Sequence, residues 1–121
     1  MLKIQQLLID AYGCESDLDD ANFLLETLEI AAKKVGANII RRITQRFDPI
    51  GVSAILILAE THLSVHTWPE YRYAAVDVFV CGEGKNPHEV WSVIEGKLRP
   101  QSTEIKEFTR SIGYTHVHER A

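Results

Sequence analysis

The stretch GVSAILILAETHLSVHTWPEYRYAAVDVFVCG, residues 51–82, determines the fold. Its first part, 52–59, is an apolar run of strand length, which predicts a buried strand. The segments 62–67 and 74–81 alternate apolar and polar residues around the turn sequence WPEYR, which predicts a β-hairpin. The stretch therefore supplies the consecutive strands at the centre of the predicted sheet.

Hydrophobic periodicity predicts the remaining elements on both sides of this stretch. Strands are expected at 2–10, 38–47 and 102–113, and helices at 16–36 and 86–98, the last with a proline at its first position. Apolar helix and sheet faces must be buried against each other. The predicted fold is therefore an α+β two-layer sandwich, with an antiparallel β-sheet, helices on one face, and the order β-α-β-β-β-α-β. The second face of such a sheet often contacts a partner subunit.

Length and composition favour one folded domain spanning residues 1–121, with 45% hydrophobic and 25% charged residues. The net charge of -4, with scattered Lys and Arg, argues against a nucleic-acid surface. The longest apolar run, 54–59, is too short to span a membrane, and the N-terminus lacks the features of a signal peptide. Two cysteines, Cys14 and Cys81, then favour free thiols in a reducing compartment. We expect a cytoplasmic protein.

The residues after the apolar run carry chemically reactive groups. Strand alternation places His62 and His66 on one face of their strand. If the hairpin turns near residues 70–71, Thr61 lies near Cys81, and His66 lies further along the same face. A hydroxyl, a thiol and an imidazole that converge in this way are suited to covalent catalysis.

Each of these residues also has a purely structural interpretation. A thiol flanked by valines is most often a small core residue, and an imidazole before a turn is equally explained by a hydrogen bond to that turn. A zinc site is a further alternative. However, a His-x3-His spacing on a strand is a loose match and no Cys-x-x-Cys pair supports it, so no metal is expected. The residues that such a site would use are His62, His66, Cys81, His116 and His118.

The stretch 51–82 resembles the small prokaryotic S-adenosylmethionine decarboxylases, which are pyruvoyl enzymes of spermidine biosynthesis. The segments LLIDAYGC (7–14), RFDPIGVS (46–53) and VHER (117–120) are similar to the same family, so that the resemblance covers nearly the whole chain. Its most specific part is Glu-hydroxyl-His-x-x-x-His-Thr-Trp-Pro-Glu, followed by Ala-Ala-x-Asp-x-Phe-x-Cys-Gly.

The resemblance implies a proenzyme that cleaves its own chain and acts as a homodimer with sites near the interface. Cleavage would fall between Glu60 and Thr61 and would leave a pyruvoyl-type ketone on the new N-terminus. That ketone forms a Schiff base with S-adenosylmethionine and accepts the electrons of the bond that loses CO2. His66 would be the base for processing, and Cys81 the acid that reprotonates the decarboxylated carbon. Residues implied in or near the substrate site are Phe47 as an adenine-stacking group, Ser53, and Glu70 as a ribose partner.

Two positions depart from the family pattern. Gln6 stands where the family usually has histidine, and Thr61 stands where it has serine. Threonine can form the same ester, but elimination would leave a 2-oxobutanoyl group, and the extra methyl hinders attack. Two alternatives therefore stay open beside the decarboxylase: a non-processing regulatory or partner homologue, and a sister decarboxylase of a basic amino acid such as arginine.

Overall fold

The computed structural model describes residues 2–82 and 84–113. Six strands and two α-helices follow one another along these residues, with a short 3-10 turn at Pro69–Tyr71 before the fifth strand. None of the helices in this part of the chain is long and apolar enough to cross a membrane. The elements are β1 (Leu2–Tyr12), α1 (Ala21–Lys34), β2 (Ile39–Arg46), β3 (Val52–Leu58), β4 (His62–Trp68), β5 (Tyr73–Cys81), α2 (Pro87–Leu98) and β6 (Ser102–Ile112).

The strands form one sheet in the order β2-β3-β4-β5-β1-β6, and every neighbouring pair is antiparallel. Both helices pack on the same face of this sheet, and the predicted α+β two-layer sandwich is confirmed. Four strands lie between the helices, one more than in the expected order, because the hairpin at 62–67 and 74–81 contributes two separate strands.

The core lies between the sheet and the helices and follows from strand alternation. In β3 and β5 every second residue is buried, and the residues between them are half-buried on the opposite face. The helices contribute one apolar side each. The largest fully buried side chains are Leu7, Leu24, Leu28, Val52, Leu56, Leu63, Val65, Val78, Val80, Val90, Ile94 and Leu98.

Side-chain caps set where the helices begin. The Asp20 carboxylate accepts a hydrogen bond from the backbone N–H of Phe23, so α1 begins at Ala21, later than the expected start at residue 16. Asn86 caps α2 in the same way by accepting from the N–H of His88, and its first helical residue is proline, as the sequence predicts.

The hairpin register differs slightly from the expected one. His66 pairs with Ala75 and His62 with Phe79, which places residue 61 one position short of the expected Cys81. The register is constant from the pair Trp68–Tyr73 at the turn to the pair His62–Phe79. The turn that closes it contains the 3-10 segment followed by Arg72 in the left-handed region, with a φ of 52°.

The face of the sheet opposite the helices carries exposed apolar side chains as well as polar ones. By register, residues at even positions of β1 and β4 and odd positions of β3 and β5 point to this open face. No helix covers it in the described residues. Its large apolar side chains that stay exposed are Leu8, Tyr12, Ile43, Phe47, Trp68, Phe108 and Ile112.

Candidate functional site

The expected cleavage point lies in the tight turn between β3 and β4. The backbone N–H of Leu58 donates to the carbonyl oxygen of Thr61 at 2.8 Å, which closes a two-residue loop of Ala59 and Glu60. Glu60 has a φ of 88°, in the left-handed region that favours glycine. A side chain there costs about 1–3 kcal/mol of backbone strain. The peptide bond that the sequence singles out therefore follows a strained residue.

Cys81 approaches the same turn from the end of β5. Its Sγ atom lies 3.3 Å from Oε2 of Glu60 and donates a hydrogen bond to that carboxylate. Desolvation by burial raises the pKa of the Cys81 thiol, the hydrogen bond and the charge of Glu60 raise it further, and Lys85 opposes them. The thiol therefore stays protonated at neutral pH and can serve as a proton donor.

A second group of predicted residues lines a cavity of about 440 Å³ at the other end of the open face. Ser53 Oγ and His66 Nδ1 lie 2.7 Å apart in a hydrogen bond between β3 and β4. Sequence reasoning missed Trp68. It stands two positions after His66 and therefore lies on the same face of β4, and this spacing was the available signal. The lining residues are Phe47, Ile50, Gly51, Val52, Ser53, His66, Thr67, Trp68 and Glu70.

The structure does not bring the two groups together within one chain. Thr61 and His66 are five positions apart along the chain, or about 16 Å in an extended strand. The Cys81 thiol therefore lies at the Glu60–Thr61 turn, whereas His66 lies further along the same face. The cavity group (Phe47, Ser53, His66 and Glu70) and the turn group (Glu60, Thr61 and Cys81) lie at opposite ends of the same face.

A third group occupies the middle of the open face, between the other two. Asp77 accepts a hydrogen bond from Gln6 Nε2 at 2.9 Å through one oxygen, and its other oxygen lies 3.2 Å from His62 Nε2. The His62 ring also meets the Phe79 ring edge-on, with centroids 5.4 Å apart. Gln6, which departs from the family pattern, therefore bonds to a carboxylate on β5, a partner that sequence reasoning did not identify.

The residues of the alternative zinc site are not gathered in the described structure. Among residues 2–82 and 84–113, no group of three or more His, Cys, Asp or Glu is arranged to hold a metal ion. His62 and His66 face different partners, Asp77 and Ser53. His116 and His118, together with the VHER segment, lie outside the described residues.

Known proteins share both this sequence and this fold. The profile of the S-adenosylmethionine decarboxylase family matches residues 5–111. The chain is 43% identical over 104 residues to the S-adenosylmethionine decarboxylase proenzyme of Parasynechococcus marenigrum (strain WH8102), covering 85% of this chain and 81% of that protein. It is 41% identical over 109 residues to the proenzyme of the same name from Methanococcus maripaludis (strain DSM 14266), covering 89% of each.

A solved structure agrees with these relatives. The fold is similar to the crystal structure of the adenosylmethionine decarboxylase from Aquifex aeolicus VF5, with a TM-score of 0.84 and 32% sequence identity. The match covers 93% of this chain and 92% of that one. The chain therefore belongs to the S-adenosylmethionine decarboxylase family.

Proposed function

We propose that this protein is a self-processing decarboxylase of S-adenosylmethionine, which supplies the aminopropyl donor for spermidine biosynthesis. The observation that carries the proposal is the Glu60–Thr61 step, which this family member holds in a strained two-residue turn beside the Cys81 thiol. The whole chain, 1–121, is then one decarboxylase domain that cleaves itself between these residues. The free thiols of Cys14 and Cys81 are consistent with work in the reducing cytoplasm.

Processing uses the hydroxyl of Thr61. Its oxygen attacks the carbonyl carbon of Glu60, the C–N bond of that peptide breaks, and an ester joins the two halves of the chain. Removal of the α-proton of residue 61 then breaks its Cβ–O bond, and Glu60 leaves as the carboxylate end of the upstream fragment. Hydrolysis of the remaining enamine by water releases ammonia and leaves a 2-oxobutanoyl group, because threonine has one carbon more than serine.

The residues around this turn suit such a ketone and its reaction. Thr61 is half-buried directly before β4, where the turn restricts its position. The ketone, once formed, supplies an electron sink for loss of CO2 from the bound substrate. Cys81 then donates its proton to the carbon that has lost CO2, and its raised pKa keeps that proton available at neutral pH.

The cavity group is the proposed substrate site. Phe47 offers an aromatic face to the adenine, and the Glu70 carboxylate accepts hydrogen bonds from the ribose hydroxyls. Ser53 and His66, 2.7 Å apart, form a hydroxyl–imidazole pair that can move a proton, and His66 is the proposed base for processing. The lining is aromatic and apolar with one carboxylate, which fits an adenine nucleoside, whereas a decarboxylase of arginine would need a more acidic pocket.

A homodimer would complete the site. The turn group and the cavity group lie about 16 Å apart on one open face, too far for a direct proton transfer. A second copy that packs its open face against the first, related by a two-fold axis, would set the cavity group of each chain against the turn group of the other. Burial of the exposed apolar side chains of this face would drive the association.

The proposal is tested by measuring release of labelled CO2 from carboxyl-labelled S-adenosylmethionine. The Thr61→Ser variant is assayed beside the parent chain, with arginine as the competing substrate. The expected result is CO2 release from S-adenosylmethionine by the cleaved Thr61→Ser protein. CO2 release from arginine alone would favour the sister decarboxylase, and absence of both cleavage and release would favour a non-processing partner protein.

A further inference from the structure

The turn between β2 and β3, residues 47–51, forms one wall of the cavity. Phe47, Ile50 and Gly51 line the cavity from this turn. The backbone N–H of Phe47 donates to the carbonyl oxygen of Gly51 at 2.9 Å and closes the turn at its base. The Phe47 side chain is still 51% exposed, so packing alone does not hold it against the site.

One residue from outside the sheet ties down both ends of this turn. The Asp19 carboxylate accepts a hydrogen bond from the Gly51 N–H at 2.9 Å through Oδ1, and from Arg46 Nη2 at 3.1 Å through Oδ2. Arg46 Nη1 also donates to the backbone carbonyl oxygen of Asp19 at 2.6 Å. All three bonds are charge-assisted and are accepted by Asp19, two by its carboxylate and one by its backbone carbonyl. Their donors, Arg46 and Gly51, lie on either side of Phe47 along the chain.

The segment that carries Asp19 is itself anchored beneath the cavity. The hydroxyl of Thr67, which is buried and lines the cavity, donates to the carbonyl oxygen of Leu18 at 2.7 Å. The same hydroxyl accepts from the N–H of Val52 at 3.0 Å. The loop before α1 is therefore fixed relative to the cavity floor, and Asp19 transfers that fixed position to the turn.

We propose that Asp19 is a positioning residue for substrate binding, which holds the turn 47–51 so that Phe47 forms the aromatic wall of the cavity. The inference rests on the proposed function, since it assigns the purine of the substrate to that wall. Asp19 does not reach the turn group, where the bonds change. Its loss therefore weakens substrate and transition state equally, which raises KM and leaves kcat nearly unchanged.

The kinetic test uses the processed Thr61→Ser protein as parent. Asp19→Ala is expected to raise KM for S-adenosylmethionine about tenfold, with kcat within about twofold of the parent. Asp19→Asn keeps an acceptor for the Gly51 N–H and is expected to restore part of the affinity. The matched control is Glu29→Ala. This variant removes an ion pair of 3.4 Å between Glu29 and Arg42, which lies on β2 like Arg46, and it leaves the turn unchanged. Its KM is expected to equal that of the parent.

A second measurement does not depend on turnover. Hydrogen exchange of a peptide spanning 47–52 is expected to accelerate in Asp19→Ala and to stay slow in Asp19→Asn and Glu29→Ala. Calorimetric titration with S-adenosylmethionine is expected to show the same order of affinities. Equal KM and binding in Asp19→Ala and Glu29→Ala, or unchanged exchange at 47–52, would overturn the role of Asp19. If the parent and its variants bind S-adenosylmethionine with the expected order of affinities but the parent releases no CO2, the proposed activity is wrong and the role of Asp19 stands.

Discussion

The Sγ atom of Cys81 lies 3.3 Å from Oε2 of Glu60, so that the end of β5 touches the turn between β3 and β4. One partner is the proposed proton donor, and the other is the residue whose carbonyl carbon is attacked during processing. In the intact chain, one hydrogen bond therefore connects a residue of the proposed self-cleavage with the proposed proton donor of the decarboxylation. Desolvation by burial raises the pKa of Cys81, and the Glu60 carboxylate raises it further because it disfavours the thiolate.

The first prediction follows from that contact. Glu60→Gln removes a negative charge next to Cys81, so the pKa of the thiol falls towards its ordinary value and the thiolate forms at lower pH. Only the thiolate is alkylated rapidly. The rate of alkylation by iodoacetamide, measured against pH on the intact Thr61 chain, is expected to rise at lower pH in the variant. Peptide mass spectrometry separates Cys81 from Cys14.

Cys14 provides the internal control for this experiment. It is buried, its pKa is raised by desolvation, and it does not contact the turn, so its slow alkylation is expected to be unchanged in Glu60→Gln. Identical pH profiles for Cys81 in the parent and the variant would mean that the hydrogen bond between Cys81 and Glu60 is not formed in solution.

The second prediction concerns the composite site. In a Thr61→Ser background, Cys81→Ala and His66→Ala are each expected to be folded and inactive. If each site takes Cys81 from one chain and His66 from the other, co-expression restores one intact site in each mixed dimer. Random pairing then gives about a quarter of the parent's activity. The measurement is CO2 release by the co-purified mixture.

Two variants from the same group serve as the control for complementation. Cys81→Ala is co-expressed with Thr61→Val. Every site then has a turn group that lacks either the thiol or the hydroxyl, so the pair is expected to stay inactive. Failure of the first pair to regain activity, with mixed dimers detected by mass, would argue that each chain builds its own site.

The third prediction is about stability. Thr67→Val keeps the volume of a buried side chain but removes the hydroxyl that bonds to Leu18 and Val52. Buried backbone groups left without partners are expected to lower the free energy of unfolding by about 1–3 kcal/mol. Urea unfolding measures the change, with the exposed Thr44→Val on β2 as control, expected within about 0.5 kcal/mol of the parent. Equal midpoints for both variants would contradict this account of Thr67.

Much of the fold could be predicted from local signals. The alternation in 62–67 and 74–81 sorted the two faces of the hairpin correctly, because side chains in a strand alternate whatever packs against them. Pro87 marked the start of α2 for an equally local reason. A turn at residues 70–71 pairs His62 with Phe79, as observed, so that Thr61 lies opposite residue 80 and one position short of Cys81.

The site was less predictable because its contacts join distant parts of the chain. Asp19 and Gly51 are 32 positions apart, and only the packing of the loop before α1 against the sheet brings them together. The direction of the Glu60 side chain towards Cys81 likewise depends on a strained turn. The separation of Thr61 from His66, in contrast, follows from strand geometry alone, since five residues of an extended chain cannot fold back.

The fourth prediction concerns Thr61 itself. A β-branched side chain has few χ1 rotamers, and a rotamer that aims the hydroxyl at the Glu60 carbonyl carbon costs about 0.5–1.5 kcal/mol if it lies off a staggered well. Each 1.36 kcal/mol of barrier is about tenfold in rate, so the rotamer alone slows processing by about twofold to tenfold, and crowding by the methyl in the tetrahedral intermediate adds to this.

We therefore expect the parent chain to be mostly intact when purified and Thr61→Ser to give two fragments of about half the mass each by intact-protein mass spectrometry. The downstream fragment should begin with a ketone that reacts with phenylhydrazine. In the His66→Ala, Thr61→Ser double variant the ester should accumulate and be cleaved by hydroxylamine, because elimination lacks its base. A parent chain that is already fully cut, with a 2-oxobutanoyl end, would show that the turn accommodates the methyl. A Thr61→Ser chain that stays whole would show that the strained Glu60 turn does not support self-cleavage, and the non-processing alternative would then replace the decarboxylase.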